Sequence, residues 1–274
     1  MRLIDLSMEV FQGMMTYPNV AKPVIVEMET YSQMAKSVGT DAYGVNEITN
    51  HCMIVTGDHI GTHIDSWGHV NPTAPRAEGI PLEYCYGNGV VLDLTFKKAG
   101  DEISVADIEQ AEGELAGAGY AIKKLDIVLL RTDAAKRRLE KAYLTNHPGM
   151  TKEAVHFILD RGVKVMGIDA IGFDPPVAQM FERKKFWEAH RVMREREYYH
   201  LENMCNLNEI PPPYITPSSS SCRSSGAGPL PPPSAPLLSS TNKKLYLNGL
   251  LDGFEEVALA AFEHRHHFCQ GCSP

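Results

Sequence analysis

The sequence predicts an α/β protein, a mixed sheet with packed helices, followed by an irregular Pro- and Ser-rich tail. Three observations carry this expectation. Short β-branched runs alternate with helical patterns over the first two hundred residues, the mark of mixed α and β packing. The 274 residues are 43% hydrophobic and 22% charged, enough apolar material for a sizeable core. Nine of the 18 prolines fall between Pro211 and Pro236, so the chain changes character there.

Taken in order, Gly87-Asn88-Gly89 predicts a turn into VVLDL (90–94), which with DIVLLR (126–131) and VKVMGID (163–169) reads as buried strands. Ser104 followed by Asp107 forms a capping-box pattern that opens a helix through Glu109 and Leu115. A second helix starts near Thr151, buries Val155, Ile158 and Leu159 at helical spacing, and stops at Gly162. A third is expected over 184–197, where Phe186, His190 and Met193 share one face. From Pro211 no period of 2 or 3.6 survives, so 211–241 reads as an extended or disordered linker that cannot be a central strand. Within the tail at 242–274, a short helix from about Asp252 precedes a His- and Cys-containing end.

Charge and motif content exclude several classes. A net charge of -8 argues against a nucleic-acid partner, whose phosphates require clustered Lys and Arg. No window approaches the roughly 20 apolar residues of a membrane span, and the amino terminus lacks the apolar run of a signal peptide, so a cytoplasmic protein with no membrane partner is expected. Its six cysteines then read as reduced thiols. The chain has neither a GxSxG elbow nor a P-loop. His264, His266, His267, Cys269 and Cys272 offer metal donors, but at no established finger spacing.

Histidine placement is the strongest chemical signal. Of eleven histidines, His51, His59, His63 and His69 lie within nineteen residues, and His59-Ile-Gly-Thr-His63-Ile-Asp65-Ser-Trp-Gly-His69 supplies three imidazoles and a carboxylate. Nitrogen with carboxylate oxygen suits Zn²⁺, Mn²⁺ or Fe²⁺, and three protein ligands leave positions open for water and substrate. Gly61 permits the turn that brings His59 and His63 together, and strand alternation puts residues 63 and 65 on one side. A lone histidine is more often a surface or core residue; this density argues for a metal site.

HIGTHIDSWGH resembles the signature HxGTHxDxxxH of the cyclase family, which includes bacterial kynurenine formamidases and isatin hydrolases. Further matches are IDLSMEV with Met14 and Tyr17-Pro18, GIDAIGFDPP (167–176) and HLENMCNLNEI (200–210). The resemblance runs from Ile4 to about Ile210 and implies a cyclase-like, swivelling β/β/α fold in a domain of residues 1–210. It implies His59, His63, Asp65 and Glu202 as ligands of one metal. Asp65, Glu202 and His190, which lies twelve residues before Glu202, would hold a second. His69 is then a proton shuttle, Tyr17 a substrate-binding aromatic and Trp67 part of the pocket wall.

The activity this implies is hydrolysis of an amide C–N bond by metal-bound hydroxide, with one or two Zn or Mn ions per subunit. The expected substrate is a small amide, as in an arylformamidase that converts N-formylkynurenine to kynurenine and formate in tryptophan catabolism. An isatin-hydrolase-like opening of a cyclic amide and a metal-holding, non-catalytic protein are the alternatives, and family members form homo-oligomers. Two departures stand out. Trp67-Gly68 occupies a stretch where many relatives carry proline two residues after the ligand aspartate. Pro and Ser repetition also replaces the family's final apolar strand pair after residue 210. A divergent extension or a sequence change such as a shifted reading frame or an alternative splice accounts for that; the second fits better, because a lost sheet edge exposes apolar surface.

Overall fold

A computed structural model describes residues 4–210 and 215–219. The amino-terminal part comprises β1 (Val24–Glu29), α1 (Tyr31–Val38), β2 (His51–Val55), β3 (His63–Asp65) and α2 (Trp67–Val70). The central part comprises β4 (Tyr86–Asp93), β5 (Glu102–Ile103), α3 (Val105–Gly117), β6 (Ile127–Arg131), β7 (Gly149–Met150), α4 (Lys152–Leu159) and β8 (Val165–Ile168). It ends with α5 (Val177–Arg183), α6 (Glu188–Arg191), β9 (Tyr199–Glu202) and β10 (Ile215–Ser219).

Among the described residues, six strands form one mixed sheet in the order β10-β4-β6-β8-β9-β3. The pairs β4–β6, β6–β8 and β8–β9 are parallel, while β10 and β3 close the two edges antiparallel. Both faces of the central strands are buried, which is why their sequences run apolar without alternation. Val128 and Leu130 of β6 join one core cluster with Ile108, Leu115, Val155 and Ile158 of α3 and α4. Ile127 and Leu129 point the other way, into a cluster with Ile4, Leu6, Leu207 and Ile210. Fully burying each such side chain stabilises the fold by about 1.5–3 kcal/mol before entropy is counted.

The local signals explain the helices. Ser104 and Asp107 make the reciprocal capping box at the start of α3. Thr151 caps α4 by accepting from the Ala154 N–H, and Gly162 beyond its end has φ +82°. Two expectations are corrected. The single helix over 184–197 is broken, because Lys184 and Trp187 adopt positive φ and leave the one-turn α6 followed by a 3-10 turn over 192–194. Gly87-Asn88-Gly89 is no turn: it lies inside β4, where a Cβ at Gly87 would come 2.8 Å from the Leu125 carbonyl oxygen. Within the stretch read as an extended or disordered linker, Ile215–Ser219 is extended and pairs with β4. Its place at the edge is one a strand containing Pro217 tolerates. The remainder of the linker, the segment 242–274 with the helix from about Asp252, and the His- and Cys-containing end lie outside the described residues.

Candidate metal centre

The centre is built on the antiparallel ladder between β3 and β9. His63 pairs with Glu202 and Asp65 with His200. Because alternate residues face opposite sides, the intervening Ile64 and Leu201 join one core cluster while all four polar side chains point to the other face. Gly61 turns the chain into β3 with φ +62°, and a Cβ there would come 2.9 Å from Val10 Cγ2. His59 precedes this turn, α2 carries His69 back over the site, and α6 supplies His190.

Asp65 is the hub. Its Oδ1 lies 2.7 Å from His59 Nδ1 and 3.2 Å from His63 Nε2. Its Oδ2 lies 3.2 Å from Nε2 of both His190 and His200, and 3.7 Å from His69 Nε2. Glu202 approaches from the paired strand, with Oε2 3.7 Å from His63 Nε2 and Oε1 3.6 Å from His190 Nε2. Its Oε1 also accepts from the Phe173 N–H at 2.7 Å, which fixes the carboxylate. Exposure rises outward, from fully buried His200 to His69, whose side chain is 38% exposed.

Electrostatics follow from this crowding. Burial alone would raise the Asp65 carboxyl, but the imidazoles of His190, His200, His59 and His63 outweigh it and hold Asp65 well below the usual carboxylate range. Glu202 is likewise lowered against the effect of burial, chiefly by His200. Burial opposes a charge on His63, yet Asp65 and Glu202 raise its pKa to about 9. His190 is pushed up in the same way, by Asp174 and Asp65 against burial. His69 differs: burial lowers its pKa, which favours the neutral ring.

The residues fit a divalent cation. Nε2 of His63, Oδ1 of Asp65 and both ring nitrogens of His200 are buried and make no aligned hydrogen bond among the described residues. Such orphans are costly unless something else satisfies them. His63 Nδ1 lies 2.9 Å from the Gly61 carbonyl oxygen, an arrangement that puts the proton on Nδ1 and leaves the Nε2 lone pair for a metal. Donors of Asp65, His190, His200 and Glu202 form one group and those of His59, Asp65 and His69 another, each within 4.8 Å.

Thus the structure brings His59, His63, Asp65, His69, His190 and Glu202 to one place. Three neighbours escaped the sequence. His200 had a usable signal, since residues 200 and 202 of a strand share a face. Asp174 accepts from the backbone N–H groups of Ala189 and His190 and grips His190 Nδ1. His147 is buried beside Gly172, with Nδ1 2.9 Å from the Pro148 carbonyl oxygen. Tyr17 also packs on Gly172, and burial together with the Glu202 charge pushes its phenol up. The Trp67 indole N–H donates to the Met193 carbonyl at 2.6 Å, tying the His69 segment to the turn that follows His190.

No curated protein is significantly similar to the chain. Among solved structures, isatin hydrolase A from Ralstonia solanacearum superposes with a TM-score of 0.64 at 22% identity, covering 77% of this chain and 82% of that one. Isatin hydrolase A from Labrenzia aggregata bound to benzyl benzoate gives 0.62 at 23%, covering 77% and 83%. A "predicted metal-dependent hydrolase" from Bacillus stearothermophilus gives 0.54 at 21%, covering 77% and 85%. The Cyclase family model, described as "Putative cyclase", matches residues 4–175. With the histidine signature and the fold in agreement, the chain belongs to the cyclase family.

Proposed function

We propose that the protein is a metal-dependent hydrolase of an amide C–N bond, most like an arylformamidase that releases formate from N-formylkynurenine in tryptophan catabolism. The observation that carries this reading is the convergence of His59, His63, His190 and His200 on the two oxygens of Asp65. A divalent cation at such a cluster, one or two Zn or Mn ions here, supplies an activated water with pKa near about 7 and a partner for the developing oxyanion.

The chain's own residues supply the rest. His59, His63, Asp65, His190 and Glu202 serve as metal ligands, and their buried framework fixes them before substrate arrives. His69, more exposed and with its pKa lowered by burial, takes the proton of the attacking water and delivers it to the leaving nitrogen. The C–N bond breaks as water's oxygen bonds to carbon, giving a carboxylic acid and an amine. Tyr17 packs against the substrate ring, and Trp67 shapes the wall beside His69.

Isatin hydrolases among the structural neighbours favour a second reading, opening of a cyclic amide by the same chemistry. Assays of the purified chain on N-formylkynurenine and isatin separate the two. Turnover of formylkynurenine supports the first reading, and turnover of isatin alone replaces it with the second. A metal-loaded protein inert across a panel of amides and esters would instead be a metal-holding, non-catalytic protein.

The proposal includes a cytoplasmic homo-oligomer. The ribbon of β1 and β2 exposes Val24, Val26, Met28, Met53 and Val55, and a two-stranded ribbon is marginal in water without a cover. Light scattering on the full chain should give a mass above one protomer; a monomer at all concentrations removes this part of the proposal. No helix among the described residues is long and apolar enough to cross a membrane.

A further inference from the structure

We infer that His200 is a further metal ligand, one that completes a four-donor inner position with Asp65, His190 and Glu202 and makes it a closed, structural site. This rests on the metal-dependent reading above and adds a residue that neither the motif spacing nor the family signature supplied.

The geometry is symmetrical about two carboxylate oxygens. Nε2 of His200 lies 3.2 Å from Asp65 Oδ2 and 3.6 Å from Glu202 Oε1. Nε2 of His190 stands at the same two distances from the same two atoms. Four donors arranged tetrahedrally at zinc bond lengths of about 2.0–2.1 Å are separated by about 3.3 Å along each edge. The four imidazole–carboxylate edges, at 3.2 and 3.6 Å, bracket that value, and all four donors lie within 4.8 Å of one another.

His200 is fully buried, and beyond its electrostatic effect on Asp65 and Glu202 neither ring nitrogen makes an aligned hydrogen bond among the described residues. A histidine serving only to hydrogen-bond Asp65 would direct an N–H along the 3.2 Å approach; this ring is not so aligned. Phe173 stacks on it face to face, with centroids 4.2 Å apart and planes 6° apart, which holds Nε2 towards the carboxylates. The ring therefore presents a lone pair from a rigid position opposite Asp65 on the ladder.

A consequence follows for the division of labour. Four protein ligands leave an ion no open position, whereas a catalytic site keeps one for water or substrate. The inner ion then organises Asp65 and Glu202, and the more exposed position at His59, His63 and Asp65 receives the substrate.

The test uses the full chain as wild type, His200→Ala and His200→Asn, with zinc as the probe. Bound zinc is counted by elemental analysis after exposure to graded chelator, and thermal midpoints are recorded with and without zinc. Wild type should retain one ion at chelator concentrations that strip the other. Both variants should lose that resistant ion, with affinity lowered about 10- to 100-fold or more. Truncating this buried ring lowers the metal-free midpoints as well, so the readout is the rise in midpoint on adding zinc, which should be smaller in both variants than in the wild type. Variants that keep the resistant ion at wild-type affinity overturn the assignment while leaving metal-dependent hydrolysis intact. A wild type that binds no zinc overturns both. A measurement on wild type alone covers the case of misfolded variants: Co²⁺ at the resistant position should give the intense visible absorption of tetrahedral coordination, and a weak octahedral spectrum would contradict it.

Discussion

Nδ1 of His190 lies 2.5 Å from Oδ2 of Asp174, while Nε2 of the same ring lies 3.2 Å from Asp65. One carboxylate thus orients the ring from behind so that its other nitrogen faces Asp65, the arrangement that would tune the basicity of a metal-ligating histidine. Asp174→Asn should weaken metal binding or turnover about 10- to 100-fold without unfolding the chain. Zinc titration of the variant checks this, and unchanged affinity and kcat would show that the pair is only structural.

His69 stands apart from the other imidazoles by its exposure and its lowered pKa. As the proton shuttle it should be dispensable for metal retention and needed for turnover. His69→Ala is expected to keep the wild-type metal content and to lose about 10²- to 10⁴-fold in kcat. Loss of an ion in that variant would make His69 a ligand instead, as its place beside His59 and Asp65 also permits.

Protons and a bound cation would compete at this centre. A histidine raised from 6.5 to about 9, as His63 is, stabilises the metal-free fold fully below pH 6.5, and that contribution is lost as pH rises through 9. The thermal midpoint of the chelated protein should therefore fall over that window. Zinc must displace the same proton, so zinc affinity should rise over it, by about tenfold per pH unit for each proton released. Two curves of the same sign, or a zinc affinity independent of pH, would contradict this account.

The Trp67 indole couples the His69 and His190 segments through one hydrogen bond to Met193. Trp67→Phe keeps an aromatic side chain but removes the donor, and the lost hydrogen bond costs about 1 kcal/mol beyond the packing lost with the smaller ring. A drop of a few degrees in thermal midpoint together with a lower kcat is expected. A variant with lower stability but wild-type kinetics would show that the tie does not position the site.

What the sequence made legible depended on how local each signal was. His59, His63, Asp65 and His69 announce themselves because eleven consecutive residues hold them all. His190 and Glu202 emerged only through family spacing, since each alone is an ordinary helix or strand residue. His200 shows in the sequence only through the strand face it shares with Glu202, a pattern that an ordinary buried histidine also gives. Asp174 was invisible for a different reason: its partner lies 16 residues away and the contact depends on a loop path no periodicity encodes. The helix over 184–197 failed similarly, as side-chain spacing says nothing about the positive φ of Lys184 and Trp187. The buried parallel strands and the capped helices α3 and α4 were readable, because both are specified by contiguous residues.

The central claim is that the clustered histidines and carboxylates hold a cation on which C–N hydrolysis depends. The most direct test strips the purified full chain with chelator and follows N-formylkynurenine hydrolysis as Zn²⁺ or Mn²⁺ is restored. Turnover is predicted to vanish on stripping and to return in proportion to bound metal, with no return in a His63→Ala variant. Hydrolysis that continues undiminished in the stripped protein would contradict the account.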